Sequence, residues 1–523
     1  MIALLNSWLF APRVRGAIER FGIYVVVALA ALLRFVNLDQ PHRLIFDETW
    51  YVKDAMTLNR YGYEGSWPSE PNAQIEAGHA NISKPDASFV VHPPLGKWII
   101  GIGLRLFGNT NPFGWRFSTA VFGVLLVVLV YLIARQLLGS KLWSLTAAFF
   151  VAIDGHAIVL SRTGILDIFL AVFVAAGFYA LLRDRANTRA ELIRRAQRLQ
   201  FEVVDEAHPG EGRDYLHLGV VWRRPWLLAM AVLVGAACAV KWSGLYVFAF
   251  FVAYQIISEA ILRRQLGERF WFTTGVAAQG LATAIMSAPL TLAVYLVSYT
   301  GWFVTNGGWD RHWADNPDNA ATGLWAWVPK SLQSLWHDHQ EQYNFSINLH
   351  TPHSYQANPL TWLFAIRPTA FWYTYCDTVK TDCATANGNV LAVLPLGNPY
   401  VWFAAGFAAI YLLVRYVMTR DNTAGLILLG LGAGYLPWML YLNRTVFQFY
   451  SIIFLPYTVI GLVYVLRLWL RSRKKEQKPQ TRAVLFAFII LIALISVYFL
   501  PLWIGSWIPY WYWKAHMWIP SWI

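Results

Sequence analysis

The residues able to do chemistry in this chain sit in a few short runs. Phe46-Asp47-Glu48-Thr49-Trp50-Tyr51 places two adjacent carboxylates among aromatic side chains. A carboxylate held against apolar groups is costly to desolvate and keeps a raised pKa, which suits a general base. The same pair would equally serve as the acidic start of a helix over 48–60, with Asp47 capping free N–H groups. His92-Pro93-Pro94-Leu95-Gly96-Lys97 follows. Its prolines hold the chain extended ahead of an apolar stretch, Trp98 to Phe107, that is too short to span a bilayer and suits the interface. Lys97 would there meet an anionic group; the plainer reading is a snorkelling lysine beside a hydrogen-bonded histidine.

Charges also interrupt apolar runs at Arg116 (in Gly114-Trp115-Arg116-Phe117), Asp154, Arg162, Asp167 and Lys241 (in Val240-Lys241-Trp242-Ser243-Gly244). Such charges are usually functional or paired. Direct chemistry and a structural ion pair, Arg162–Asp167 or Arg116–Asp154, stand side by side. A further run, His350-Thr351-Pro352-His353-Ser354-Tyr355, leads to Asn358-Pro359, Trp362 and Arg367-Pro368. With Pro352 between them, His350 and His353 do not share a regular helix, and no third ligand stands nearby, so no zinc site is expected. The run suits covering a substrate or guiding a peptide. Cys376 and Cys383 would form a loop disulfide or stay free; with Cys238 they are too few for a disulfide framework.

Elements that could position these residues follow from composition. Of 523 residues, 57% are hydrophobic and only 14% charged, and the mean hydropathy is +0.41. Soluble domains carry about a quarter charged residues, so a soluble enzyme is excluded. The 27 Trp fit interfacial belts around membrane helices. Apolar runs long enough to cross a bilayer lie near 20–38, 113–138, 142–160, 163–182, 226–240, 242–262, 272–298, 398–416, 424–442, 447–467 and 483–503. That is about eleven spans by length.

Basic residues fix the orientation. Arg-rich 183–225 and Lys/Arg-rich 471–482 fall on one face, together with Arg13, Arg15 and Arg20, Arg263, Arg264 and Arg269, and Arg415 and Arg420. That face is cytoplasmic by the bias of short loops, so the net charge of +13 reflects membrane topology and not nucleic acid. The N-terminus is expected in the cytoplasm, and its apolar run is too long for a cleavable signal peptide. The C-terminus and two long segments, 39–112 and 299–397, are expected outside. The chain divides into a membrane module over 1–300, a second external region over 301–397 and C-terminal helices over 398–523.

In their order along the chain, these motifs resemble the protein O-mannosyltransferase family. The motifs are the Asp47-Glu48 pair, His92 to Lys97, Gly114 to Arg116, Asp154-Gly155, Ser161-Arg162, Leu166-Asp167, Val240 to Gly244 and the block from His350 to Pro368. The likeness spans almost the whole chain and is nearest to the actinobacterial type. It implies an all-α polytopic GT-C glycosyltransferase of the cell membrane that moves mannose from polyprenyl-phosphate-mannose to Ser or Thr of secreted polypeptides. Membrane lipids and the secretion translocon would be its surroundings. By this resemblance Asp47 matches the family's catalytic acidic position, Glu48 its neighbour, which also supports activity and counts as catalytic, and Arg116 an arginine needed near the site. The large lectin-like insertion of eukaryotic members is absent.

Together these readings give a single in-line displacement with inversion, Asp47 as base and Lys97, Arg116, Lys241 and Arg367 as candidate partners of the donor phosphate. His92, Asp154, Arg162, Asp167, His350, His353, Tyr355 and Asn358 complete the candidate site. No cofactor is required if those cations suffice, although two adjacent carboxylates could hold a divalent metal. The alternatives are a lipid-linked sugar transferase with a glycolipid or glycan acceptor, and a transporter or scramblase, which would place its charges near the bilayer midplane.

Overall fold

A computed structural model describes residues 12–206, 216–377 and 385–523. The chain is built almost entirely of helices: α1 (Pro12–Phe35), α2 (Glu48–Tyr61), α3 (Pro71–Glu76), α4 (Leu95–Phe107), α5 (Pro112–Leu138), α6 (Lys141–Ala152), α7 (Gly155–Ser161) and α8 (Asp167–Glu206). After them come α9 (Pro225–Val240), α10 (Ser243–Gln265), α11 (Gln279–Ser298), α12 (Thr300–Val304) and α13 (Lys330–Ile347). The last helices are α14 (Pro399–Thr419), α15 (Asn422–Tyr435), α16 (Leu455–Ser472), α17 (Lys478–Ile504) and α18 (Tyr510–Ala515).

Every expected span falls on helix. Among the described residues, seven helices are long and apolar enough to cross a membrane, or eight if α6 and α7, bent by 60° at their junction, form one span. Length and apolarity alone therefore stop short of the expected count. The run 226–240 is the short apolar helix α9, and the run 447–467 is split into a 3-10 segment, Gln448–Ile453, and α16. The run 163–182 enters α8 at Asp167, and that helix continues to Glu206, well into the segment expected as a cytoplasmic loop.

Local chemistry sets the boundaries. Asn111 accepts a hydrogen bond from Phe113 N–H, Pro112 opens α5, and Gly139 closes it in the left-handed region at φ 62°. Asn398 caps α14 through Tyr400 and Val401 N–H, while its amide donates to Ile492 O and Ser496 Oγ of α17. One departure from an all-α chain is a small antiparallel sheet, ordered β1 (Trp372–Tyr375), β2 (Asn389–Val393) and β3 (Trp507–Pro509). The pairing of Cys376 with Cys383 lies outside the described residues.

Two compact units emerge: one holds the chain up to Val172 and from Tyr299 onward, the other Phe173–Ser298. Segments 39–112 and 299–397, both expected outside, thus belong to one unit. The smaller unit carries a buried ion network in which Arg224 meets Asp184 at 2.5 Å and Glu259 at 3.2 Å. Arg263 there reaches Glu259 and Glu268, both at 3.0 Å. Each of these charges has an opposite partner, which burial at this depth requires.

Candidate active site

Two aromatic stacks fix the turn that presents the acidic pair. Phe46 adopts a left-handed backbone, φ 50°, a region costly for a residue with a Cβ. Its ring lies flat on Phe371 at 4.3 Å and edge-on to Phe449 at 5.3 Å, contacts that hold the turn. Glu48 then points inward and is fully buried. Its carboxylate accepts from Arg116 Nε and Nη2 at 2.7 and 2.9 Å, from Ile45 N–H at 3.0 Å and from Gly164 N–H at 2.7 Å. Glu48 therefore ties the start of α2 to the strand of backbone just before Asp167.

Asp47 occupies the capping position of α2 yet makes no side-chain cap hydrogen bond, so the capping role expected from sequence is not what its carboxylate does. Tyr51 N–H donates to Asp47 O, and Tyr450 packs on Phe449, whose ring meets Phe46 beside Asp47; the charges of Asp47 and Asp167 act on both tyrosine hydroxyls. Burial, reinforced by those two acids, raises the Tyr51 hydroxyl well above the ordinary tyrosine range, so it remains a neutral donor at physiological pH. The His92 ring lies 6.0 Å from that of Tyr51. Asp167 is buried and Asp47 half-buried.

Most of the expected cations are already engaged. Arg116 spends its five N–H groups on Glu48 and on the carbonyls of Leu38, Pro41 and Arg43. Nothing is left for a phosphate, which corrects the expectation that Arg116 grips the donor. Lys97 is not a snorkelling lysine. It is 1% exposed and lies 2.9 Å from Glu64 and 3.3 Å from Asp54. Burial alone would lower its pKa, but Glu64 and Asp54 outweigh that and raise it. Burial in turn pushes the Asp54 carboxyl up to about 6, against the pull of Lys97.

Neither of the ion pairs weighed from sequence forms. Arg162 donates to the carbonyls of Leu33, Arg34, Val36 and Asn37, closing the C-terminal end of α1 where cations are favoured. Asp154 caps α7 through Ala157 N–H and also accepts from Asn398 N–H and Trp402 Nε1. Arg367 lies over the Tyr355 ring and donates to the carbonyls of Ser354, Ser521 and Ile523. Lys241 is buried at the end of α9, inside the smaller unit.

The block 350–358 forms an exposed rim. His350, His353 and Asn358 are exposed. His350 Nδ1 lies 3.0 Å from Asn443 O, and His353 accepts from Tyr355 N–H through Nδ1. Asn358 accepts from Leu360 N–H, opening the short helix Pro359–Phe364. Thr445 donates to the carbonyls of Leu349 and Thr351, and Ala357 N–H to Val446 O. The rim is thus stitched to residues 443–446. Among the described residues, one set has metal-ligand spacing, Asp310 with His337 and Glu341, and it includes none of the residues picked from sequence.

Two family models match: dolichyl-phosphate-mannose-protein mannosyltransferase over residues 91–192, and the C-terminal four-TMM region of protein-O-mannosyltransferase over 331–522. The polyprenol-phosphate-mannose–protein mannosyltransferase of Mycolicibacterium smegmatis is 34% identical over 95% of this chain and 92% of its own length. The chain belongs to this family of glycosyltransferases. The Mycobacterium tuberculosis relative of the same name is 31% identical over 97% of the chain and 93% of its own length. A solved Saccharomyces cerevisiae protein O-mannosyltransferase Pmt1–Pmt2 complex bound to the sugar donor has the same fold, with a TM-score of 0.69 at 15% identity over 97% of this chain and 92% of that one. The GT-C architecture expected from sequence is therefore present.

Within this mannosyltransferase, sequence reasoning missed Tyr51, Asp54, Glu64 and Tyr450. Tyr51 and Asp54 sit four and seven residues after Asp47, the spacing of neighbours on one helix face. That periodicity was a usable signal. No local pattern marks Glu64 or Tyr450, which reach the site through packing between segments far apart in the chain.

Proposed function

We propose that the enzyme transfers mannose from polyprenyl-phosphate-mannose to Ser or Thr hydroxyls of exported polypeptides, at the outer face of the cell membrane. Asp47 takes the hydroxyl proton as the oxygen attacks the anomeric carbon; the sugar–phosphate bond breaks in line, with inversion, and the polyprenyl phosphate leaves. A positioned base contributes about 100- to 10,000-fold. One observation carries the assignment of Asp47 over its neighbour. Asp47 is half-buried and makes no cap hydrogen bond, whereas Glu48 is fully buried and committed to four donors. Glu48 and Arg116 are positioning residues in this scheme.

The exposed rim 350–358 is where an extended acceptor would approach. The topology that fits is the one read from the basic segments, with about eleven crossings, the N-terminus in the cytoplasm and the site outside. The names of the mycobacterial relatives support both donor and acceptor class.

Purified enzyme in detergent, given lipid-linked mannose and a Ser/Thr-rich secreted peptide, tests the reading. Mannosylated peptide is expected. Mannose transferred only to a glycolipid or glycan would replace the acceptor class, and unchanged peptide transfer by Asp47→Asn would refute the base.

A further inference from the structure

A departing phosphate needs a cation; of the four expected partners Lys241 belongs to the smaller unit, and the other three, like Arg162, are spent. Lys97 is held by two carboxylates, Arg116 and Arg162 by carboxylate and carbonyl oxygens, and Arg367 by carbonyls. Arg444 differs. Its backbone N–H donates to Tyr441 O, but among the described residues its guanidinium enters no hydrogen bond or ion pair, and its Nε is buried without a partner. Leaving a charged donor dry and unsatisfied costs stability in the unliganded protein. Such a group is usually kept for a ligand.

Its surroundings say which ligand. Thr445 and Val446, next in the chain, are hydrogen-bonded to Leu349, Thr351 and Ala357, so the backbone that carries Arg444 is fastened on its C-terminal side. Six residues on, Tyr450 packs on Phe449 at 4.6 Å, and Phe449 meets Phe46, the neighbour of Asp47, at 5.3 Å. The segment that carries Arg444, a half-buried residue, thus runs up to the turn that presents Asp47. An anion whose sugar lies against Asp47 has a cation within reach there.

We propose that Arg444 is the phosphate-binding residue of this site, gripping the phosphodiester of the lipid-linked donor and the monoester that leaves. A planar guanidinium suits this task, since two parallel N–H groups can take two phosphate oxygens as charge grows on them. The inference rests on the reading of the donor under Proposed function and deepens it by naming the residue.

Two measurements on the full-length enzyme in nanodiscs test it. The first is the affinity for undecaprenyl phosphate, read by quenching of Trp fluorescence, with inorganic phosphate as a parallel probe. Arg444→Gln should weaken lipid phosphate binding about 10- to 100-fold, the worth of a charge-assisted contact. Arg444→Lys should recover part of it, and inorganic phosphate should compete only weakly because it lacks the chain. The second is mannose transfer, where the donor KM should rise and the acceptor KM should hold.

Undecaprenyl phosphate affinity within twofold of the native value in Arg444→Gln overturns the assignment, as does a loss of binding that Arg444→Lys fails to restore. If the native enzyme binds the lipid phosphate through Arg444 yet transfers nothing to peptide, the subsite stands and the acceptor reading falls. If the native enzyme does not bind the lipid phosphate, both fall.

Discussion

Arg116 grips both carboxylate oxygens of Glu48, at 2.7 and 2.9 Å, with neither side chain exposed. Removing one partner strands the other. Arg116→Leu is expected to cost about 3–5 kcal/mol, the penalty of an uncompensated buried charge, and to abolish transfer. A double variant, Arg116→Met with Glu48→Met, should regain much of the melting temperature without regaining activity. Full stability in Arg116→Leu would show the pair to be weaker than its geometry implies.

Asp47 makes no capping bond, so activity and stability should separate there. Asp47→Asn is expected to lower kcat by about 100-fold or more while its thermal midpoint stays close to native. A lost helix cap would instead cost about 1 kcal/mol. A parallel drop in both measurements would return Asp47 to a structural role.

Asp54 should leave a mark on the pH dependence of stability. Its carboxyl is pushed up from 3.8 to about 6 by burial, although Lys97 opposes this. The folded state therefore favours the protonated form. The contribution is fully present below the unfolded value and is lost as pH rises through about 6. Melting temperatures of native enzyme and Asp54→Asn, compared from pH 4 to 7, should show the native protein losing ground as pH rises. A constant difference between them would rule this out.

Gly155 lies where α7 meets the last long helix. A Cβ there would sit 1.9 Å from the Trp503 ring and 2.4 Å from Leu396 O, so Gly155→Ala must move backbone. We expect a loss of about 1–3 kcal/mol or more. Gly16, with nothing within 4 Å, serves as control: Gly16→Ala in α1 should gain about 0.5–1 kcal/mol. Thermal unfolding of both variants in one detergent checks the contrast.

Sequence reading succeeded where information is local. Apolar runs of membrane length gave the helical framework. Adjacent Asp47 and Glu48 marked the candidate site because two neighbouring acids beside aromatics are conspicuous in an apolar chain. Partners escaped it. Nothing near Lys97 in the chain announces Glu64, 33 residues earlier, and carbonyl groups such as Pro41 O, which occupy Arg116, carry no side-chain signature. The sheet β1–β2–β3 joins residues more than 100 positions apart, and its strands are too short to show an alternating pattern.

Gly164 donates to the same carboxylate that Arg116 clasps, so one side chain moors two stretches of backbone, each bearing an acid. An aspartate at position 48 falls a methylene short of that mooring, and a glutamine brings two hydrogens to face the guanidinium. Natural drift at this position is thus expected to be as confined as at a residue that handles substrate. Inherited invariance here would betray the fastener no less than the chemist.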